Sequence, residues 1–213
     1  MIVRLLRALT VGAILLVALG AQAQEPNLPK RWYVGAGAGA SFYDDWEFTS
    51  TISADLDTGY LGNVTVGAYL DDIRVFRLEL EGLYTSSDVN GVSGASAAGT
   101  VSNTAAMFNA LYDVRTGTDW TPYFGVGIGY SLVDVDSFTT PAGSPTLIDD
   151  NDGVFAWQIK AGVAYQFSPS WSVNVQYRFF NAENPSFINV NGVAVDGDPI
   201  RSNNAEVGFR FHF

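Results

Sequence analysis

The sequence predicts an all-β fold: an eight-stranded antiparallel up-and-down barrel that crosses a membrane. Three observations carry this. From Trp32 onward, apolar and polar residues alternate with period two in eight separate segments, the signature of strands with one apolar face. The connections between those segments are alternately short and long. The last segment sets Ala205, Val207, Phe209, Phe211 and Phe213 on one face against Asn204, Glu206, Gly208, Arg210 and His212 on the other. Its apolar face thus runs to the final residue, where a chain frays unless something holds it.

Taken in order, Met1 to Ala23 carries Arg4 and Arg7, an apolar run from Ala8 to Leu19, and Ala21-Gln22-Ala23. That is the charge, apolar stretch and small-residue cleavage site of a secretory signal peptide. The run is short for a spanning helix, and no later stretch approaches the roughly 20 apolar residues a helix needs. Membrane residence must therefore come from strands. The chain has no Cys, which removes disulfides, thiol nucleophiles and thiolate metal sites together. Its 22 Gly, 14% aromatic and only 15% charged residues suit many short strands and turns. The net charge is −11, and −13 once Arg4 and Arg7 are removed, so nucleic acid is not expected as a partner.

The first segment, Trp32 to Phe42, puts Trp32, Val34, Ala36, Ala38, Ala40 and Phe42 opposite Tyr33, Gly35, Gly37, Gly39 and Ser41. The second sets Tyr60, Val64, Val66, Ala68 and Leu70 against Asn63, Thr65, Gly67 and Tyr69, and Asp71-Asp72 turns it into the third. There Phe76, Leu78, Leu80 and Tyr84 face away from Arg77, Glu79 and Glu81, a spacing no helix would place on two faces. The fourth has Ala106, Phe108, Ala110 and Tyr112 opposite Met107, Asn109 and Asp113, with a turn at Arg115 to Asp119. The fifth opposes Pro122, Phe124, Val126, Ile128 and Tyr130 to Tyr123, Gly125, Gly127, Gly129 and Ser131. The sixth opposes Phe155, Trp157, Ile159, Ala161, Val163, Tyr165 and Phe167 to Gln158, Lys160, Gly162, Ala164 and Gln166. Ser168-Pro169-Ser170 leads into the seventh, where Trp171, Val173, Val175, Tyr177 and Phe179 oppose Ser172, Asn174, Gln176, Arg178 and Phe180. The closing segment is the eighth.

The long connections cover roughly Tyr43 to Gly59, Ser86 to Asn103, Val133 to Gly153 and Asn181 to Asn203. Aromatic residues mark both ends of the apolar faces: Trp32, Trp120, Phe167, Trp171 and Phe213 at one, Phe42, Tyr60, Tyr84, Tyr130 and Phe155 at the other. Even strand number, short turns on one side, long loops on the other and two aromatic girdles describe an outer-membrane barrel with both ends in the periplasm. The expected division is a signal peptide at 1–23, a short periplasmic segment at 24–31 and the barrel at 32–213.

Residues 32–213 resemble the eight-stranded OmpA-like and opacity-type, porin-family outer-membrane proteins. The resemblance rests on Pro122-Tyr123-Phe124-Gly125-Val126-Gly127-Ile128-Gly129-Tyr130, on Arg77-Leu78-Glu79-Leu80-Glu81 and on Phe213. It implies contact with outer-membrane lipid and lipopolysaccharide. It also implies recognition of the C-terminal strand, through Phe209, Phe211 and Phe213, by the barrel assembly machinery. The peptidoglycan-binding domain of longer family members is not expected here.

The motifs for other chemistries have plainer explanations. Gly35-x-Gly37-x-x-Ala40 matches part of a dinucleotide fingerprint, yet no helix follows to receive a pyrophosphate; the glycines make room in a narrow barrel. Ser-His-acid catalysis needs a His beside a Ser, and the single His212 falls at the short-turn rim, expected beside solvent. The long connections are acidic, through Asp44, Asp45, Glu47, Asp55, Asp57, Asp88, Asp134, Asp136, Asp149, Asp150, Asp152, Glu183, Asp196 and Asp198. They lack the regular ligand spacing of a calcium loop, so the acidity is expected to keep them solvated. Neither metal nor cofactor is expected.

The inward faces carry Arg77, Lys160, Arg178 and Arg210 beside Glu79, Glu81, Asp113 and Glu206. These signs balance, and an eight-stranded barrel is only wide enough for side chains to fill. A paired belt at the depth of Glu81, Lys160, Arg178 and Glu206 is therefore expected, with Arg178 near Glu206. The function expected is structural or surface interaction, with four acidic extracellular loops meeting an unspecified partner. A narrow passive channel is the alternative, and a lipid A-modifying enzyme a more distant one. A soluble lipocalin-like barrel would have to crowd Trp157, Trp171 and many Phe inside, and leaves the loop asymmetry unexplained.

Overall fold

A computed structural model describes residues 28–43, 46–49, 52–92, 95–139, 150–183, 186–188, 194–196 and 198–213. Among them lie β1 (Trp32–Tyr43), β2 (Trp46–Thr49), β3 (Ile52–Leu56), β4 (Gly59–Tyr69), β5 (Phe76–Val92), β6 (Ala95–Asp113), β7 (Trp120–Thr139), β8 (Asp150–Ser168), β9 (Trp171–Ala182), β10 (Ser186–Ile188), β11 (Ala194–Asp196) and β12 (Ile200–His212).

Eight of these close a barrel in which every neighbour is antiparallel, in the order β1, β4, β5, β6, β7, β8, β9, β12 and back to β1. In lipid, backbone N–H and C=O groups must find partners within the protein, and closure supplies them without an edge. The seam runs without a slip from Tyr33↔His212 to Tyr43↔Ser202. Phe213 is held where the alternation requires: its N–H donates to Trp32 O (2.8 Å), and Trp32 N–H donates to Phe213 O (3.3 Å).

Side chains fall on the two faces as the alternation predicts. Val64, Leu80, Val126, Ile128, Val175, Val207 and Phe209 are exposed on the outer wall, whereas Arg77, Glu79, Glu81, Lys160, Arg178 and Glu206 are buried inside. The girdle residues Trp32, Trp120, Phe167, Trp171 and Phe213, and Phe42, Tyr60, Tyr84, Tyr130 and Phe155, are all exposed outward. At one end Trp120 packs on Tyr165 with ring centroids 4.7 Å apart, and Trp171 on Phe211 at 4.9 Å.

The long connections differ from expectation. β5 and β6 run on to Val92 and from Ala95, so most of the segment from Ser86 to Asn103 is hairpin. β7 and β8 likewise absorb both flanks of the third connection. β2 and β3 lie in the first connection, and β3 pairs with the extended part of β5; β10 and β11 pair within the fourth. The physical reason is that a ladder needs only facing backbones. Past the bilayer no face meets hydrocarbon, so the apolar alternation stops although the pairing continues. The short turn after β4 is also wider than an Asp-Asp turn. Residues 70–75 span it, Arg74 takes a φ of 56°, and Asp71 Oδ1 accepts the Val75 N–H at 2.8 Å.

The barrel lumen as candidate functional site

The lumen residues are positioned by register. Lys160 on β8 lies directly opposite Arg178 on β9, and like charges facing each other across a ladder repel. Carboxylates from elsewhere on the wall offset this. Glu81 on β5 reaches across the lumen, accepting from Arg178 Nη2 (2.5 Å) and Lys160 Nζ (3.1 Å). Glu206 on β12 takes a fork from Arg178, with Nε on Oε1 at 2.5 Å and Nη2 on Oε2 at 2.9 Å. Such bidentate pairs fix geometry as well as charge. Arg178 Nη1 donates to Gln158 Oε1 at 2.8 Å. Glu81 Oε2 also accepts from Gln158 (2.9 Å) and Asn109 (2.8 Å), while Glu206 Oε2 accepts from Gln176 (2.7 Å) and Asn63 (2.8 Å). This belt therefore bridges from β5 to β8, β9 and β12 across the barrel.

A second polar layer lies toward the short turns. Lys160 also reaches Glu79 Oε2 (3.2 Å) and links the layers. Arg77 donates from Nη1 to Glu79 Oε1 (2.6 Å) and from Nε to Asp113 Oδ1 (2.9 Å). Tyr33 donates to Glu79 (2.6 Å) and Tyr69 to Asp113 (2.9 Å). Arg210 makes no ion pair among the described residues; its guanidinium lies 5.0 Å from the Tyr123 ring centroid and 5.8 Å from that of Tyr33, a cation–π arrangement. A cavity of about 20 Å³ beside it, lined by Glu79, Lys160, Asn174, Gln176, Glu206 and Arg210 among others, has room for about one water.

His212 does not stand beside solvent. It is buried, its ring centroid 5.4 Å from that of Tyr33 and 6.5 Å from that of Tyr69, and its Nε2 is 3.0 Å from Ser172 Oγ. It shares the inner face with Glu206 and Arg210, so the narrow bore closes over it rather than leaving it at an open rim.

The other half of the lumen, toward the long hairpins, is an apolar core of Leu61, Leu83, Val101, Ala105, Met107, Val133, Val154, Ala156, Phe180, Ala182 and Ile200. Most of these lie beyond the inward faces that the alternating segments define. The signal was present: Leu83 lies two residues past Glu81, Leu61 two before Asn63, and Val133 two past Ser131, so the same alternation extended outward finds them. Among the described residues no group of His, Asp and Glu side chains is arranged to hold a metal ion.

Fold and lumen together define a small, closed, eight-stranded transmembrane barrel. Residues 11–213 match the family model described as the outer membrane protein beta-barrel domain, and the chain belongs to that family. An outer membrane protein of Gluconacetobacter diazotrophicus is 34% identical over 135 residues, which cover 57% of this chain and 35% of that relative. The chain thus spans about a third of that protein's length. Outer membrane protein PagN of Salmonella typhimurium is 27% identical over 177 residues, 70% of this chain and 74% of PagN. Among solved structures, Neisserial surface protein A superposes with a TM-score of 0.57 at 20% identity, covering 85% of this chain and 97% of that one. OprG from Pseudomonas aeruginosa gives 0.61 at 14% identity, covering 87% and 97%; both share the fold. The protein is therefore an outer-membrane protein.

Proposed function

We propose that this protein is a structural, surface-interacting barrel, a closed scaffold holding long acidic hairpins outside the cell. One observation carries this reading: the lumen is filled along its length. A permeating ion would have to part the Glu81–Arg178–Glu206 bridge and then cross the apolar core from Leu61 to Ile200. Buried charges of this kind are tolerable only when paired, which favours a closed state. The β5–β6 and β7–β8 hairpins have strands of 17 to 20 residues. A tilted strand needs roughly 9–11 residues to cross hydrocarbon, so the remainder stands clear and offers surface. Asp57 and Asp88 join two of these connections, the Asp57 N–H donating to Asp88 O at 3.0 Å. Asp134 lies on β7. Asp44, Asp45 and Asp149 lie outside the described residues, and the side chains of Glu47, Asp55, Asp136, Asp150, Asp152 and Asp196 outside the described side chains.

The partners belong to the same proposal: lipid and lipopolysaccharide around the wall, an extracellular molecule at the hairpins, and the assembly machinery at the outward-facing Phe209, Phe211 and Phe213. An enzymatic role draws no support from the Ser172–His212 pair, since both residues are 1% exposed and lie at the short-turn end. Planar-bilayer recording tests the proposal. Wild type should show no steady large conductance, and Arg178→Ala, in which the apolar core still stands, at most brief openings. Steady conductance from wild type, unchanged in that variant, would replace this reading with the passive channel.

A further inference from the structure

The chain leading into β1 runs along the short-turn rim and is tied to it on both sides. Pro29 is buried, although Leu28 and Lys30 beside it are exposed. Lys30 N–H donates to Pro169 O (3.4 Å) in the β8–β9 connection, and Arg31 O accepts the Tyr69 N–H (2.9 Å) where β4 ends. Arg74, in the β4–β5 connection, donates from Nε to Pro29 O (3.1 Å) and from Nη1 to Asp71 O (2.7 Å). Its own carbonyl accepts from Arg115 Nη2 in the β6–β7 connection. The Arg115 guanidinium also lies 5.7 Å from the Tyr69 ring centroid. All three short connections and the segment before β1 are thus joined in one series of contacts around the rim. Tyr33, Tyr69, Ser172 and His212, at this end of the lumen, are all buried.

We infer that residues 28–31 are a strap that closes the short-turn mouth of the barrel, with Arg74 and Arg115 as its latch. Two features distinguish this from ordinary turn packing. Arg74 sits at a φ of 56°, which Gly adopts with less strain, yet the position carries a long guanidinium side chain that reaches Pro29 O. Both arginines also make their hydrogen bonds to backbone carbonyls, while the carboxylates of Asp72 and Asp113 stand 3.9 Å from Arg74 and 4.0 Å from Arg115. Bonds to neutral carbonyls are weaker than bidentate pairs with carboxylates such as that of Arg178 with Glu206. The strap therefore opens locally before the belt does. Its release uncovers Ser172 and His212 from the short-turn side and leaves the Glu81–Arg178–Glu206 bridge shut.

Thiol labelling tests the strap, because the chain has no Cys of its own. Ser172→Cys places a thiol at the short-turn end of the lumen, and a small charged methanethiosulfonate reports its access in detergent-folded protein. That readout depends neither on the barrel's orientation in a membrane nor on its conductance. With the strap intact, Cys at 172 should react far more slowly than Cys at 88, an exposed position on the β5–β6 hairpin. Adding Arg74→Ala or Arg115→Ala should speed it roughly ten- to a hundredfold, the factor that one lost charge-assisted hydrogen bond gives to a local opening. Pro29→Gly, which loosens the strap without touching either arginine, should act in the same direction. Arg178→Ala should leave the rate near that of the intact strap. Thr121→Cys, buried on β7 at the same end, is a second probe, and heat-modifiable gel mobility reports folding in every variant. Fast labelling with the strap intact, or equally slow labelling in all three strap variants, overturns the inference. So does Arg178→Ala speeding the reaction as much as Arg74→Ala, since access would then come from global unfolding.

Discussion

Arg178→Ala removes the side chain on which the lumen belt depends, and its cost can be worked from the bonds that remain. Glu81 would keep Lys160 at 3.1 Å, with the amides of Gln158 and Asn109. Glu206 would keep only neutral donors, Gln176 at 2.7 Å and Asn63 at 2.8 Å. One buried carboxylate is then left without a cation, and breaking a buried pair from one side costs about 3–5 kcal/mol. Arg210→Ala provides the contrast. It forfeits cation–π contacts worth about 0.5–2 kcal/mol and strands no paired carboxylate. Urea titration of protein folded into lipid vesicles, followed by tryptophan fluorescence, measures both. Glu206→Gln placed on Arg178→Ala should recover part of the loss, a coupling of about 0.5–3 kcal/mol. If Arg178→Ala costs no more than Arg210→Ala, and Glu206→Gln recovers nothing, the belt does not act as a set of paired charges and the argument for a closed lumen fails with it.

Other outcomes follow from the same geometry. Val175→Arg, projecting into hydrocarbon near mid-membrane, should destabilise by about 2–4 kcal/mol, whereas Leu70→Arg, at the short-turn boundary, should cost about 0–1 kcal/mol for the charge; equal costs in the same titration would contradict the assigned depth. His212→Ala should cost about 1–3 kcal/mol, because it opens space between Tyr33 and Tyr69 and leaves Ser172 Oγ without its partner; a change near zero would return His212 to a solvent rim. Since the chain has no Cys, single cysteines report topology cleanly. Asp88→Cys should react with a membrane-impermeant maleimide on intact cells, and Asp72→Cys only after permeabilisation; the reverse pattern would invert the barrel.

Much of this architecture was legible because the bilayer writes it into the sequence. Where one face meets lipid and the other a narrow bore, each strand must alternate, and a slip of one residue would exchange the faces. Eight strands and the inward set from Arg77 to Arg210 follow from that rule, and their order from the short connections between them. Beyond the girdles the rule lapses. Ser86 to Asn103 looks like loop because Ser, Thr, Asn and Gly dominate it, yet the backbone pairs Ser86 with Ser102 and Thr85 with Asn103. The identity of the charge partners was half legible. Arg178 and Glu206 could be placed together because β9 and β12 are neighbours, but Glu79 and Glu81 meet Lys160 across the bore, and no sequence spacing records a contact between opposite walls.

The inward glycines explain how so narrow a bore holds four bases, four acids and several tyrosines. They are the positions over which neighbouring lumen side chains lie. At Gly67 an added Cβ would overlap the Tyr33 ring, and at Gly127 it would overlap the Asn109 amide. At Gly162 a Cβ would come within 2.8 Å of Tyr123 Cζ. Tyr33 so placed donates to Glu79, and Tyr123 both donates to Gln176 and lies under Arg77 and Arg210. The glycine runs that imitate a nucleotide motif in β1 and give β7 its family likeness therefore belong to one design with the charged belt. Small residues on one strand let aromatic and charged residues on the next lie flat, and the flat packing brings each buried charge within reach of an opposite charge or, for Arg210, of the Tyr123 and Tyr33 rings.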